Sequence, residues 1–196
     1  MGKLLPMSAL RKTLLSPAEY LAIERQAERK SEYFAGEMFA MAGAIEPHNL
    51  IATNVISELR MQLKKRPCKV YPSDMRIKIP ATVLYAYPDV AVVCGKPAFE
   101  DEVKDTLLNP IVIVEVLSAS TEAYDRGKKF EHYSRIPSFC EYVLITQTQH
   151  KVEQFTKQND GKWLYAVANG LAGVLKLTSI ECELALAEVY DKVEFV

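Results

Sequence analysis

The run Ile111-Val112-Ile113-Val114 constrains this chain more than any other feature. All four residues are β-branched, so they favour a strand over a helix. A strand with one face in water alternates apolar and polar residues. A run that is apolar at every position needs cover on both faces. The chain must therefore lay helices or further sheet on either side of this strand, which is the logic of an α/β fold. Glu115 follows the run directly. Carboxylates are almost never fully buried without a partner. Glu115 must therefore pair with a base or bind a cation.

The rest of the chain supplies that cover. Ser16-Pro17-Ala18-Glu19 reads as a helix start, with Ser16 as cap, Pro17 at the first position and Glu19 completing a capping box. That helix is expected to run to about Glu28. Ser31–Ala35 and Glu37–Met41 read as two short strands around Gly36. From His48 to about Lys65, Ile51, Val55, Ile56, Leu59 and Leu63 recur at helical spacing, and Pro67 ends the helix. Lys69–Ile79, Tyr87–Val93, Ile111–Val116 and Tyr142–Thr146 read as strands, with a helix over about Ala123–Arg135. A strand–helix–strand order there predicts a crossover and a parallel pair. Lys151–Lys157 and Trp163–Ala168, flanking Asn159-Asp160-Gly161, predict a hairpin. The stretch from Val174 onward fits more than one assignment.

Composition sets limits on partners. Net charge is −1, so the chain is not the strongly basic type that coats nucleic acid non-specifically. Local patches can still act. No segment approaches the ~20 consecutive apolar residues of a membrane span, and residues 1–11 show no secretory pattern. We expect a cytoplasmic protein, with residues 1–13 a flexible segment and residues 14–196 a single domain. Residues 1–12 and Gly95–Asp105 are expected to be the least ordered stretches. Cys68, Cys94, Cys140 and Cys182 are scattered, with no C-x-x-C pair. We read them as reduced thiols, with neither structural zinc nor a disulfide framework. No Gly-rich phosphate loop and no G-x-S-x-G elbow is present, which argues against nucleotide-binding and serine-hydrolase readings.

Asp89 stands at the entry of one strand and Glu115 near the end of another. If the strands are neighbours, both carboxylates converge on one site, and hard oxygen ligands suit Mg²⁺ or Mn²⁺. The Val116 carbonyl is a further candidate ligand. Asp125, Lys129 and Tyr133 are spaced four apart and share a helical face. Two carboxylates, a cation and a lysine make a coherent site for phosphodiester hydrolysis, the lysine offsetting developing negative charge. Each residue also has a plain reading. Asp89 can cap a turn, Asp125 and Lys129 can be a surface pair, and Tyr133 can be core. His48, Glu32 and Asp74 are candidates for supporting roles, with capping or solvated roles as the alternative.

Tyr87-Pro88-Asp89-Val90, Val114-Glu115-Val116-Leu117-Ser118, Ser120-Thr121, Asp125 with Lys129 and Tyr133, and Glu141-Tyr142 together resemble the Uma-two family of restriction endonucleases. So do Glu32, Gly36-Glu37, His48 and Ser73-Asp74 upstream, in consistent order over roughly residues 14–147. The resemblance implies a restriction-endonuclease-like fold of the PD-(D/E)XK type, a mixed central sheet flanked by helices. It implies a Mg²⁺-dependent endonuclease acting on DNA. Pro88-Asp89 would be the first acidic motif and Glu115-Val116-Leu117 the second. Leu117 stands where that pattern usually has its lysine, and the resemblance implies that Lys129, on the following helix, takes the role. The family often has a histidine at the position of His48. A homodimer is expected, because cutting two strands needs two sites. The competing reading is a nuclease-fold module that binds nucleic acid or a protein partner without cutting.

Overall fold

The computed structural model describes residues 14–195. The N-terminal segment expected to be flexible lies outside the described residues.

Helix α1 spans Pro17–Glu24 and starts as its sequence dictates. Ser16 Oγ accepts the Glu19 N–H at 3.2 Å, and the Glu19 carboxylate accepts the Ser16 N–H at 2.7 Å. The helix stops four residues before the expected Glu28. Its end is set by tertiary partners, because Glu24 turns inward to accept the Ser31 N–H at 2.9 Å and Arg25 turns out to Asp101 and Asp105. Strands β1 (Ser31–Phe34) and β2 (Glu37–Ala40) pair antiparallel around Ala35-Gly36. Both turn residues have positive φ, 50° and 89°, the conformation of a two-residue hairpin turn that glycine adopts at little cost. Helix α2 (Glu46–Leu63) buries Ile51, Val55, Leu59 and Leu63.

The expected single strand over Lys69–Ile79 is two strands. Met75 N–H closes a turn on Pro72 at 3.0 Å, separating β3 (Cys68–Pro72) from β4 (Arg76–Ile79). They enter different sheets. Strand β4 joins a five-stranded sheet with β1, β2, β5 (Leu84–Ala86) and β7 (Thr106–Leu107). Strand β3 is one edge of a six-stranded sheet. Its other members are β6 (Val90–Cys94), β8 (Val112–Leu117), β9 (Glu141–Thr146), β10 (Lys151–Lys157) and β11 (Trp163–Asn169), in the order β11-β10-β9-β8-β6-β3. Only β8 and β9 are parallel in that sheet, so it is mixed. Their crossover carries α3 (Glu122–Tyr124), a π turn (Asp125–Lys129) and α4 (Phe130–Tyr133). The ambiguous C-terminal stretch forms the hairpin β12 (Val174–Leu177) and β13 (Cys182–Ala185), then α5 (Leu186–Val189).

Every residue of β8 is buried. Val112, Val114 and Val116 face a core shared with α2, β12, β13 and α5. Ile113 and Leu117 face a second core with Tyr133, Ile136, Phe139 and Tyr142. The apolar run is thus covered on both faces. Glu115 shares the side of Ile113 and Leu117, because side chains alternate along a strand.

Two further expectations are corrected. Cys68 and Cys94 are not both free thiols: they sit directly opposite in the β3–β6 register and form a disulfide. Their separation of 26 residues hid a pairing that only the strand register creates. Cys140 and Cys182 are free. Gly95–Asp105 is not loose either. Ala98 N–H is held by Asn109 at 2.8 Å, Glu100 N–H by the Thr106 carbonyl at 3.0 Å, and Asp101 and Asp105 by Arg25.

Candidate active site

Strands β6 and β8 run antiparallel, with Val90 opposite Val114. One step further, Asp89 comes opposite Glu115, and cross-strand neighbours project to the same face. Two contacts lock Asp89. Its Oδ2 accepts the Val116 N–H at 2.7 Å, and its Oδ1 lies 2.9 Å from His48 Nε2. His48 sits in the first turn of α2, so this helix start is tied to the strand entry. The N–H and C=O of a strand residue point to the same neighbouring strand. The Val116 carbonyl therefore faces the Asp89 side.

The crossover supplies the opposite wall. Lys129 Nζ stands 2.9 Å from Glu115 Oε1, 3.3 Å from Asp125 Oδ1 and 3.3 Å from Glu32 Oε1. Tyr133 Oη donates to Glu115 Oε1 at 3.0 Å. Asp125, Lys129 and Tyr133 are all buried while Lys128, between them, is exposed. Leu117, where the parent pattern has lysine, packs in the apolar core at 3% exposure. The ammonium beside Glu115 comes from the helix instead. The plain alternative for Glu115, pairing with a base, is realised by this same lysine.

Burial pushes the Glu115 carboxyl well above the usual carboxylate range, and the pull of Lys129 in the other direction does not offset it. Burial also opposes the charge on Lys129, but Glu115, Tyr133, Glu32 and Asp125 outweigh it and hold the ammonium protonated. Tyr124, whose ring centroid is 6.0 Å from Lys129 Nζ, is pushed up to about 12 by burial and by the charge of Glu32.

Asp74 does not join this cluster. It lies in the β3–β4 turn with its side chain 86% exposed, paired with Lys30 at 3.0 Å. Three contributors escape spacing arguments. Tyr87 donates its N–H to Glu32 Oε1 at 3.3 Å, Tyr142 Oη donates to the Asp125 carbonyl at 3.0 Å, and Tyr124 flanks Lys129. Tyr87 and Tyr142 carried a signal, as members of the Tyr87-Pro88-Asp89-Val90 and Glu141-Tyr142 segments of the resemblance, and Tyr124 carried none.

The donor set fits a hard divalent cation. Glu115, Asp125 and Glu32 surround Lys129, and Asp89, held by His48, comes opposite Glu115, so acidic groups outnumber the one lysine in a largely buried place. No three His, Cys, Asp or Glu side chains among the described residues form a ready-made metal cage. The fit is therefore to an ion that takes one or two carboxylates and keeps its waters, as Mg²⁺ does. Asp89, Glu115 and the Val116 carbonyl are the residues that could hold it.

Comparison with known proteins gives the family and the fold. The family described as "Putative restriction endonuclease" matches residues 17–187. The "Uncharacterized protein sll1609" of Synechocystis sp. is 40% identical over 151 residues, covering 77% of this chain and 85% of the relative. The "Uncharacterized protein slr1290" of the same organism is 36% identical over 182 residues, covering 92% of this chain and 94% of the relative. The crystal structure of "a putative nuclease belonging to DUF820 from Anabaena variabilis" superposes with a TM-score of 0.74 at 17% identity, over 90% of this chain and 98% of that one. The two share a fold. No helix among the described residues is long and apolar enough to cross a membrane.

Proposed function

Because the chain belongs to the Uma2 family, described as "Putative restriction endonuclease", we propose that it is a Mg²⁺- or Mn²⁺-dependent endonuclease that hydrolyses DNA phosphodiester bonds. The single observation that carries this reading is the convergence of Asp89, Glu115 and Lys129 at the β6–β8 strand ends. Asp89, Glu115 and the Val116 carbonyl would hold the cation. Bound there, it would lower the pKa of a water and polarise a phosphoryl oxygen.

The chain's own groups do the rest. His48 and the Val116 N–H fix both oxygens of Asp89. Tyr133 and Lys129 fix Glu115. Lys129 offsets the negative charge that develops on the phosphate. Asp125 and Glu32 keep that ammonium charged and in place. Glu32, tied to the Tyr87 N–H, links β1 to the Pro88-Asp89 turn. A homodimer would supply one site per strand of the duplex. With DNA as its substrate, the chain would act in the cytoplasm.

One observation favours the non-cutting module. Lys129 is only 6% exposed and already faces three carboxylates. Two measurements separate the readings. Plasmid DNA should be nicked and linearised with Mg²⁺ or Mn²⁺ and stay intact in EDTA. Mn²⁺ should also raise the melting temperature of the wild type by binding the native state, and leave Asp89→Asn unmoved. DNA that is bound but never cut, with no Mn²⁺ shift, would establish the module instead.

A further inference from the structure

The two edges of the six-stranded sheet are built differently. The β3 edge, Cys-Lys-Val-Tyr-Pro, carries Lys69 and Pro72 and is joined to β6 by the disulfide. Charge and proline are the devices by which natural sheets stop an edge from pairing with another strand. The β11 edge, Trp-Leu-Tyr-Ala-Val-Ala-Asn, has none of them: seven residues, no charge, no proline, and an unbroken one-to-one register with β10.

The hydrogen-bond phase of that hairpin says which groups lie open. Gln158 N–H donates to the Lys162 carbonyl at 2.7 Å and Gly170 N–H to the His150 carbonyl at 2.8 Å. Bonded pairs alternate in an antiparallel ladder. Leu164, Ala166 and Ala168 therefore turn their amides to β10. Trp163, Tyr165, Val167 and Asn169 turn theirs outward, and among the described residues nothing meets them. The side chains are open too: Leu164 is 57%, Tyr165 49% and Val167 39% exposed. Exposed apolar surface gathered on an undefended edge marks an interaction site.

We propose that this edge seats a second copy of the chain, the two β11 strands pairing antiparallel about a two-fold axis at Ala166, so that the two six-stranded sheets become one. The sequence is its own complement in that register. Trp163 meets Asn169 and Tyr165 meets Val167, so every outward amide of one copy faces an outward amide of the other. All seven residues are engaged. The nearest charge, Lys162, falls opposite Gly170, so the two copies set no like charges against each other. This interface follows from the edge alone and holds whether or not the acidic site cuts DNA.

Light scattering on the whole chain tests it. The wild type should show twice the 22.1 kDa mass of one chain at micromolar concentration. Val167→Lys, which adds the missing edge charge, and Val167→Pro, which removes an outward N–H that β10 does not use, should each show a single chain with unchanged circular dichroism. Should the proline variant fail to fold, the lysine variant decides alone. The register has its own test. Ala166→Cys lies on the axis and should oxidise to a covalent dimer, whereas Leu164→Cys, which meets Ala168, should not. A wild type that stays monomeric, a dimer that survives Val167→Lys, or equal cross-linking at 164 and 166 would each overturn the proposal.

Discussion

Glu115 on β8 and Glu153 on β10 belong to the same sheet and are almost equally buried, 4% and 3% exposed, yet their surroundings treat them in opposite ways. Glu153 is paired with Arg126 and with Lys151 at 2.9 Å, and accepts the Tyr165 hydroxyl at 2.6 Å. Burial is the largest influence on its carboxyl and pushes it up, but Tyr165, Lys151 and Arg126 together hold it below the ordinary value. Glu115 lies deeper in the protein, so burial weighs more heavily on it, and it has one cation, which it shares with Asp125 and Glu32. Arg126 and Lys129 sit on the same π turn, so one element serves both. A buried carboxylate with cations to spare is a joint between β10 and the crossover. A buried carboxylate short of cations is where the proposed metal ion would sit.

The largest expected effect separates the two glutamates by function. Glu115→Gln and Asp89→Asn should each lower metal-dependent cleavage by more than the roughly 10–100-fold typical of an outer-shell loss, while Glu153→Gln cleaves at the wild-type rate. Steady-state nicking of supercoiled plasmid reads both. Equal loss in all three variants would remove the distinction drawn above.

His48 should come next. It touches Asp89 and no other group of the cluster. His48→Ala should therefore reduce cleavage and apparent Mn²⁺ affinity by roughly 10–100-fold without abolishing either. A variant as fast as wild type in a metal titration would reduce His48 to a helix-start residue.

Stability should reverse the ranking. Glu153→Gln removes a carboxylate that three donors share and should cost roughly 1.5–3 kcal/mol, the range for hydrogen bonds to a charged group; Arg126 and Lys151 are about one-third exposed, so water relieves part of their loss. Urea denaturation measures it. A change under ~0.5 kcal/mol, the ordinary surface range, would mean that Glu153 is no joint at all.

The smallest effect is on acid stability. Glu153 has a native value below its unfolded one, near ~4.3 for glutamate. Its contribution is therefore complete above that pH and is lost as pH falls through the depressed native value. The wild-type melting temperature should fall more steeply below pH ~4 than that of Glu153→Gln. Parallel curves would show that the carboxyl is not held low.

Local sequence determined the elements whose physics is local. The capping box at Ser16–Glu19 and the turn at Asn159-Asp160-Gly161 rest on contacts within a few residues and stand as their sequence reads. The all-apolar pattern leading to Glu115 and the shared face of Asp125, Lys129 and Tyr133 were legible as patterns, although the one helix expected over about Ala123–Arg135 is two short helical pieces joined by a π turn. That Asp89 and Glu115 could converge was legible on the condition that their strands are neighbours, and the β6–β8 pairing supplies that adjacency. Only the tertiary structure decided what depends on register and on distant partners. The α1 helix ends early because Glu24 and Arg25 find partners beyond the helix. The strand expected over Lys69–Ile79 breaks because its halves enter different sheets. Cys68 meets Cys94 only through the β3–β6 register. Glu32 and His48 reach the cluster while Asp74, an acid that looked equally eligible, stays in solvent with Lys30. Each of these turns on which strand lies beside which, a contest among long-range pairings whose free-energy differences no short stretch of residues encodes.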